Sequence, residues 1–122
     1  MPELPEVETI ASQLRGRIVG RTISAATLER PDYLRSDVPG FPRLLVNRVV
    51  QGVTRQGKRM SVLLDNGATL LFHLGMSGRV TFEPIGSVIA PHTHFRIRFR
   101  QVEGELRMRD PRRFGGIWYA RA

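Results

Sequence analysis

The sequence predicts a mainly β protein with two α-helices, built as an antiparallel β-sandwich or flattened barrel. Two observations predict this fold class. From residue 49 onward, short apolar runs alternate with turn-forming residues, whereas helical periodicity is confined to the earlier part of the chain. The length of 122 residues is enough for one domain with its own core, so we expect a single domain over residues 1–122.

The first predicted helix begins near Pro5 and ends near Gly16, because proline suits a first helical turn and glycine suits a helix exit. One face of this helix carries apolar residues at spacings of three, four and seven: Val7, Ile10, Ala11 and Leu14. Glu3, Glu6 and Glu8 stand at its start, where the helix dipole favours negative charge. Structure alone can therefore account for these three carboxylates.

After the helix, residues 22–28 are typical of a strand, and residues 30–42 are typical of a loop because they contain three prolines and Gly40. A second short helix is predicted over residues 41–47. The clearest hairpin signal is Asp-Asn-Gly at 65–67, between apolar runs at 60–64 and 68–72. Further strands are predicted at 79–83, 94–100, 105–109 and 116–120, with a turn at 101–104.

Positive charge dominates the composition: 19 Lys and Arg stand against 11 Asp and Glu, for a net charge of +8. Such a chain favours polyanionic partners. Many of the arginines fall late, among predicted strands: Arg96, Arg98, Arg100, Arg107, Arg109, Arg112 and Arg113. This placement predicts a basic surface on a folded sheet, with ordinary solubilising charges as the alternative.

Several classes of protein are disfavoured by the composition. The sequence has no cysteine and three histidines, so we expect no disulfide, no thiolate nucleophile and no metal site. The acidic start is unlike a signal peptide, and no apolar run approaches the length of a membrane span. We expect a soluble, monomeric intracellular protein, cytoplasmic or associated with the nucleoid, without a membrane partner.

The most informative stretch for chemistry is the opening Met-Pro-Glu. Removal of Met1 would leave Pro2 with a free secondary amine. Because α-amino groups titrate at roughly pH 8, a sizeable fraction of this amine would be unprotonated and nucleophilic near neutral pH. Attack on a sugar C1′ would give an iminium directly. Glu3 could move protons at the sugar ring, with Glu6 one helical turn away. The alternative is an ordinary helix entrance.

Three further elements bear on this choice. Lys58 lies in a basic turn before the strand at 60–64, which suits a phosphate contact. The run HLGMSG at 73–78 predicts a tight loop able to project Met76 between unstacked bases, although Met76 could instead fill the core. The run DPRRFG at 110–115 couples guanidinium groups to an aromatic ring, so that Arg112 can fill a vacated base position while Phe114 wedges beside it.

In these residues and motifs, the chain resembles the N-terminal catalytic domain of the formamidopyrimidine-DNA glycosylase and endonuclease VIII family. The resemblance covers essentially all 122 residues. The resemblance implies that Pro2 is the Schiff-base nucleophile, Glu3 the general acid, Glu6 a supporting carboxylate and Lys58 a phosphate contact. It also implies that Met76, Arg112 and Phe114 fill the void left in the duplex by the extruded nucleotide. His92 falls where the family has a histidine that contacts phosphate. For His92 the alternative is simple solvation, and His73 and His94 are interpreted as structural.

The motifs are more similar to the purine-repairing branch of the family, which implies excision of 8-oxoguanine and formamidopyrimidines from damaged double-stranded DNA, with AP lyase activity. Complete members continue into a helix-two-turn-helix and zinc-finger half, absent from these residues. We therefore expect no cofactor in this chain, zinc only in that other half, and weak activity from this domain alone. Two alternatives stay open: a nonenzymatic DNA-binding module and a tautomerase that uses its terminal proline as a base.

Overall fold

The computed structural model describes residues 4–122 as one α-helix and eight strands in two four-stranded antiparallel sheets. The helix is α1 (Leu4–Ile18), and the strands are β1 (Ile23–Leu28), β2 (Val50–Gln56), β3 (Arg59–Leu64), β4 (Thr69–His73), β5 (Arg79–Pro84), β6 (Thr93–Phe99), β7 (Gly104–Arg109) and β8 (Gly116–Ala120). One sheet has the order β1-β6-β7-β5 and the other β2-β3-β4-β8. The predicted mainly β sandwich is confirmed.

Helix α1 forms where its apolar stripe predicts: Val7, Ala11 and Leu14 of that stripe are buried, Ile10 is partly buried, and Ile18 adds a further buried residue to the same face. It continues through Gly16 and ends at Ile18, two residues beyond the predicted exit, because Ile18 belongs to the same buried face. Polar contacts attach it to β2, where Glu8 accepts from Arg55 at 2.8 Å and Arg15 donates to the Val53 carbonyl at 2.7 Å. Within residues 4–122, no helix is long and apolar enough to span a membrane.

The second predicted helix, over residues 41–47, is wrong. The segment contains only a single 3-10 turn, Arg43–Leu45, which buries Leu45. The chain then becomes extended at Val46, and Asn47 adopts a left-handed backbone with φ 73°. The Asn47 N–H donates to the Ile23 carbonyl at 2.8 Å. Tertiary pairing with β1 therefore takes the backbone groups that a longer helix would have used.

The strand predictions agree with the structure to within one or two residues, and the hairpin at 65–67 joins β3 to β4 with Gly67 at φ 82°. Alternate residues of the strands face inward and fill the space between the sheets. The largest buried side chains from the two sheets include Phe72, Phe95, Met60, Leu70, Ile97 and Leu106. The core is thus the interior of the sandwich, with α1 packed along β2 and β5.

Strand registers give the sandwich two distinct ends. At one end lie the first turn of α1, the β2–β3 turn at 57–58, the β4–β5 loop (residues 74–78) and the β7–β8 loop (residues 110–115). We term this the loop end. The hairpin at 65–67 and the turn at 100–103 lie at the opposite end. Predicted site residues of the described range all fall at or next to the loop end.

Candidate functional site

A buried carboxylate organises the loop end. Asp110 opens the β7–β8 loop and is fully buried. Its Oδ2 accepts hydrogen bonds from the Tyr33 hydroxyl at 2.8 Å and the Gly115 N–H at 2.9 Å. Its Oδ1 accepts from the Arg113 N–H at 3.0 Å and from the hydroxyl of Ser77 in the β4–β5 loop. One side chain therefore closes its own loop and ties it to the neighbouring loop.

The protonation states of Asp110 and Tyr33 follow from the same contacts. Burial alone would raise the pKa of Asp110, but donors from Ser77, the Gly115 N–H and Tyr33 together hold that pKa below its usual value. The pKa of the Tyr33 phenol is raised, first by burial and second by its hydrogen bond to the Asp110 carboxylate. Near neutral pH, Asp110 is therefore an anion and Tyr33 a neutral donor.

The two loops also approach each other backbone to backbone. Gly75 has a left-handed φ of 60°, and a Cβ there would lie 2.8 Å from the Gly115 nitrogen and 2.9 Å from the Phe114 carbonyl carbon. A Cβ on Gly115 would overlap the carbonyl oxygen of His73. Since no side chain fits between these segments, the glycines of both sequence motifs are required for the loops to lie against each other.

From these loops, three side chains project outward. Met76 is 49% exposed and Phe114 is 53% exposed, among the few large apolar side chains of residues 4–122 that face solvent. The guanidinium carbon of Arg112 lies 4.5 Å from the centre of the Phe114 ring, a cation–π contact. Met76 does not fill the core, so the core-filling alternative is wrong for this residue.

Lys58 and His92 flank the loops. Lys58 is half-buried in the β2–β3 turn, and its carbonyl accepts from the Leu74 N–H at 3.2 Å. His92 is exposed with φ 66°, and its carbonyl accepts from the Asp110 N–H at 3.0 Å. Backbone hydrogen bonds therefore place one cation and one imidazole beside the projecting side chains.

The first turn of α1 faces the same end. Glu6 is exposed, and its Oε2 lies 3.6 Å from the Nη1 of Arg79, the first residue of β5. Glu6 and Arg79 line a shallow cleft together with Leu74 and Gly78 of the β4–β5 loop. Pro2 and Glu3 precede the described residues, so the roles predicted for them stay predictions.

The predicted basic surface of the sheet is only partly correct. Glu105 of β7 is 1% exposed, and its carboxylate contacts Arg98 at 2.9 Å, Arg107 at 2.8 Å and Arg96 at 3.6 Å. Burial would raise the pKa of Glu105, but the hydrogen bonds from Arg98 and Arg107 lower it overall. Arg107 is itself buried and also donates to the Val88 carbonyl, so it is a structural residue.

Two residues that support the β7–β8 loop had no signal in the sequence motifs. Tyr33 lies in the 3-10 turn Pro31–Tyr33, and Arg35 follows two residues later, both within the segment predicted as loop. Arg35 donates from Nη2 to the Gly115 carbonyl at 2.7 Å and the Arg113 carbonyl at 2.9 Å. Their partners lie 77 to 80 residues away along the chain, so no local pattern could have indicated these contacts.

His94, interpreted from the sequence as structural, is buried and its Nε2 contacts the Asp110 carbonyl at 2.8 Å. Because a carbonyl only accepts, that nitrogen carries the proton. In the described part of the chain, no cluster of three or more His, Cys, Asp or Glu residues could hold a metal ion.

Comparison with known protein families agrees with this geometry. The family model described as the formamidopyrimidine-DNA glycosylase N-terminal domain matches residues 1–117 of this sequence. This chain belongs to the formamidopyrimidine-DNA glycosylase family. Two named formamidopyrimidine-DNA glycosylases, from Acidiphilium cryptum and an Acidovorax species, are 42% and 43% identical to it over 118 and 120 residues. These alignments cover 96% and 98% of this chain but 41% and 42% of the relatives, so the chain spans about two fifths of their length.

Solved structures of formamidopyrimidine-DNA glycosylases share the fold. The Lactococcus lactis enzyme in complex with DNA containing FAPY-dG superposes with a TM-score of 0.87 at 28% identity, covering 98% of this chain and 44% of that one. A MutM complex with DNA containing carbocyclic 8-oxo-G gives a TM-score of 0.88 at 29% identity, covering 99% and 45%. The L. lactis complex with DNA containing an abasic site gives 0.88 at 28% identity, covering 99% and 45%.

Proposed function

We propose that this chain is the catalytic N-terminal domain of a base-excision repair DNA glycosylase with AP lyase activity. It excises oxidised purines, and Pro2 forms a Schiff base with the sugar of the damaged nucleotide. One observation carries the proposal: Met76, Arg112 and Phe114 project from two loops that are tied together through the Asp110 side chain.

Exposed apolar side chains on rigid loops suit the opening of a duplex. Extruding a nucleotide costs a few kcal/mol of stacking and pairing, and side chains that occupy the vacated space offset this cost. Met76 and Phe114 supply the apolar surface, since both are about half exposed. Arg112, held against the Phe114 ring, brings a planar cation with hydrogen-bond donors for the orphaned base.

The surrounding charge suits the phosphates of the same duplex. The chain has a net charge of +8, which favours DNA through counterion release. Lys58 and His92 lie on either side of the two loops, bonded to them through their backbones. In the proposed complex they contact phosphates next to the extruded nucleotide and fix its register without reading sequence.

The proposed chemistry uses the N-terminal amine. The Pro2 nitrogen attacks C1′, the bond from C1′ to the base breaks, and the base leaves with the proton that the nitrogen gives up. Glu3 then gives a proton to the ring oxygen, the bond from C1′ to that oxygen breaks, and the opened sugar is joined to Pro2 as an iminium. The iminium acidifies the neighbouring C2′ proton, and loss of that proton expels the phosphate on the 3′ side. The conjugated iminium then acidifies the C4′ proton, and a second elimination expels the phosphate on the 5′ side. Glu6, in the first turn of α1 with its Oε2 3.6 Å from the Nη1 of Arg79, acts as a supporting carboxylate in this scheme.

The lesion class rests on similarity. The solved relatives hold DNA containing FAPY-dG, carbocyclic 8-oxo-G or an abasic site, which are damaged purines and the product of their removal. We therefore assign 8-oxoguanine and formamidopyrimidines in double-stranded DNA as the substrates. Because the chain spans about two fifths of its relatives' length, we propose that these 122 residues alone bind and turn over DNA weakly, and that zinc belongs to the remaining part of the relatives.

Borohydride trapping tests the proposal directly. The protein is incubated with an oligonucleotide containing an abasic site, and reduction converts a Schiff base into a stable covalent complex. We expect efficient trapping by the wild type and strongly reduced trapping by Pro2→Gly, whose terminal amine is primary and lacks the proline ring, with intact mass confirming that Met1 has been removed from both. A protein that binds DNA without trapping would be a nonenzymatic module, and one that neither binds nor traps but enolises keto acids would be a tautomerase.

A further inference from the structure

We infer that Tyr33 is a positioning residue for opening the duplex, because its phenol holds Asp110 and so keeps the two loops as one rigid wedge. This inference rests on the proposed function. Within the described residues, no contact joins Tyr33 to any of the three projecting side chains. Its effect would be exerted through the loops alone.

The Tyr33 phenol has a single polar partner within the described residues. The ring is fully buried, and the hydroxyl donates to Asp110 Oδ2 at 2.8 Å. The same ring lies 4.8 Å, centre to centre, from the imidazole of His94, whose Nε2 holds the Asp110 carbonyl. Tyr33 and His94 together therefore hold Asp110 at both its carboxylate and its main chain.

The residues that follow Tyr33 extend this support. We term residues 31–35 the strap. The Arg35 N–H donates to the Ile117 carbonyl at 2.8 Å, and the Arg35 guanidinium donates to the carbonyls of Arg113 and Gly115. The strap thus contacts the start and the end of the β7–β8 loop, while Ser77 carries the connection on to the β4–β5 loop.

Rigidity has a specific consequence for this reaction. A wedge helps to extrude a nucleotide only if it resists the stacked bases that push back on it. Without the phenol, one oxygen of a buried carboxylate loses a donor and the loop gains freedom to move. Opening of an intact duplex should suffer from this freedom. Attack by the N-terminal amine on a sugar that is already unstacked should not.

The test compares Tyr33→Phe with the wild type on two substrates: an abasic site in a duplex and the same abasic site in single-stranded DNA. We expect the trapping rate on the duplex to fall about tenfold or more, the factor by which an equilibrium constant changes when one hydrogen bond to a charged group is lost. On single-stranded DNA the rate should stay close to that of the wild type. The ratio of the two rates is the readout, because a general loss of folded protein lowers both rates alike.

Tyr119→Phe is the matched control, because Tyr119 is the other tyrosine, is largely buried in β8 and packs against Phe41. Its ratio should equal that of the wild type. An unchanged ratio for Tyr33→Phe, or an equal loss on both substrates, would overturn the inference.

If the wild type traps neither substrate, the proposed function is wrong, and the role in DNA opening falls with it. Amide hydrogen exchange then measures the structural part alone. Faster exchange at the N–H groups of Arg113 and Gly115 in Tyr33→Phe would keep Tyr33 as the support of these loops. Unchanged exchange would remove that role as well.

Discussion

At the residue scale, two buried carboxylates matter most, and each stabilises a different part of the molecule. Asp110 connects the loops that carry the candidate site, whereas Glu105 compensates three arginines on the outer side of a sheet. Both have a pKa below the usual value because their donors outweigh the cost of burial. Both therefore stabilise the native state when ionised.

Replacing Asp110 by Asn should lower the free energy of unfolding by about 2 kcal/mol or more at pH 7, because the amide places a donor against N–H and O–H donors. The native pKa lies below the unfolded value of about 3.9, so the contribution is present above that value and is lost as pH falls through the native pKa. Urea unfolding at pH 7 and pH 3 should show the difference between the two proteins shrinking with acid. Asp37→Asn, an exposed control, should show little difference at either pH.

Glu105→Gln should destabilise the sheet, since Arg107 and its neighbours would lose their buried counter-charge. We expect a loss of about 3 kcal/mol, measured by thermal or urea unfolding near pH 7. Glu103→Gln, in the exposed turn two residues earlier, is the matched control and should change stability little. Equal effects of the two substitutions would contradict a structural role for this ion cluster.

At the element scale, the loops depend on close backbone approach, whereas α1 depends on its apolar face. One glycine in a loop and one in α1 show this difference. Gly115 lies where a Cβ would overlap the His73 carbonyl, while a Cβ on Gly16, inside α1, would meet nothing within 4 Å beyond the adjacent backbone of the helix itself. The same substitution should therefore have opposite effects at these two positions.

Gly115→Ala should destabilise the protein by about 1–3 kcal/mol, because the backbones of the two loops must separate to admit a methyl group. Gly16→Ala should stabilise it by about 0.5–1 kcal/mol, since alanine loses less backbone entropy than glycine in a helix interior. Thermal unfolding of both variants beside the wild type measures the two effects. A loss of stability for Gly16→Ala would show that α1 is constrained in a way the structure does not describe.

At the scale of the whole molecule, charge and topology combine to distinguish one end of the sandwich from the other. The registers bring segments from distant parts of the sequence to the loop end, and the chain as a whole is strongly cationic. A polyanion would be attracted to the whole surface. The loop end adds the exposed side chains of Met76 and Phe114, with Arg112 against the Phe114 ring. Salt dependence can distinguish contacts at this end from the general attraction.

Binding to undamaged duplex should weaken steeply with salt, and Lys58→Ala should reduce the slope of log K against log salt by about 1. Arg43→Ala is the control, because Arg43 is exposed near the opposite end and should leave the slope unchanged. Fluorescence anisotropy over a salt series measures both slopes. Equal reductions for the two variants would mean that DNA does not favour the loop end.

The sequence by itself determined the mainly β class, the position of α1, the hairpin at 65–67 and the family. These rest on local signals: alternation within strands, a stripe at helical spacing, turn residues and short motifs that keep their spacing. It also indicated the projecting trio, because Met76 and the Arg112 to Phe114 run lie in glycine-bounded loops.

Only the tertiary structure decided the rest. It replaced the helix predicted at 41–47 with a single turn, because pairing with β1 uses the backbone there. It showed that Arg107, predicted to belong to a basic surface, is a buried partner of Glu105. It also brought Tyr33 to Asp110 across 77 residues. Burial and long-range hydrogen bonds depend on which segments the sheets place side by side, and no local pattern in the chain carries that information.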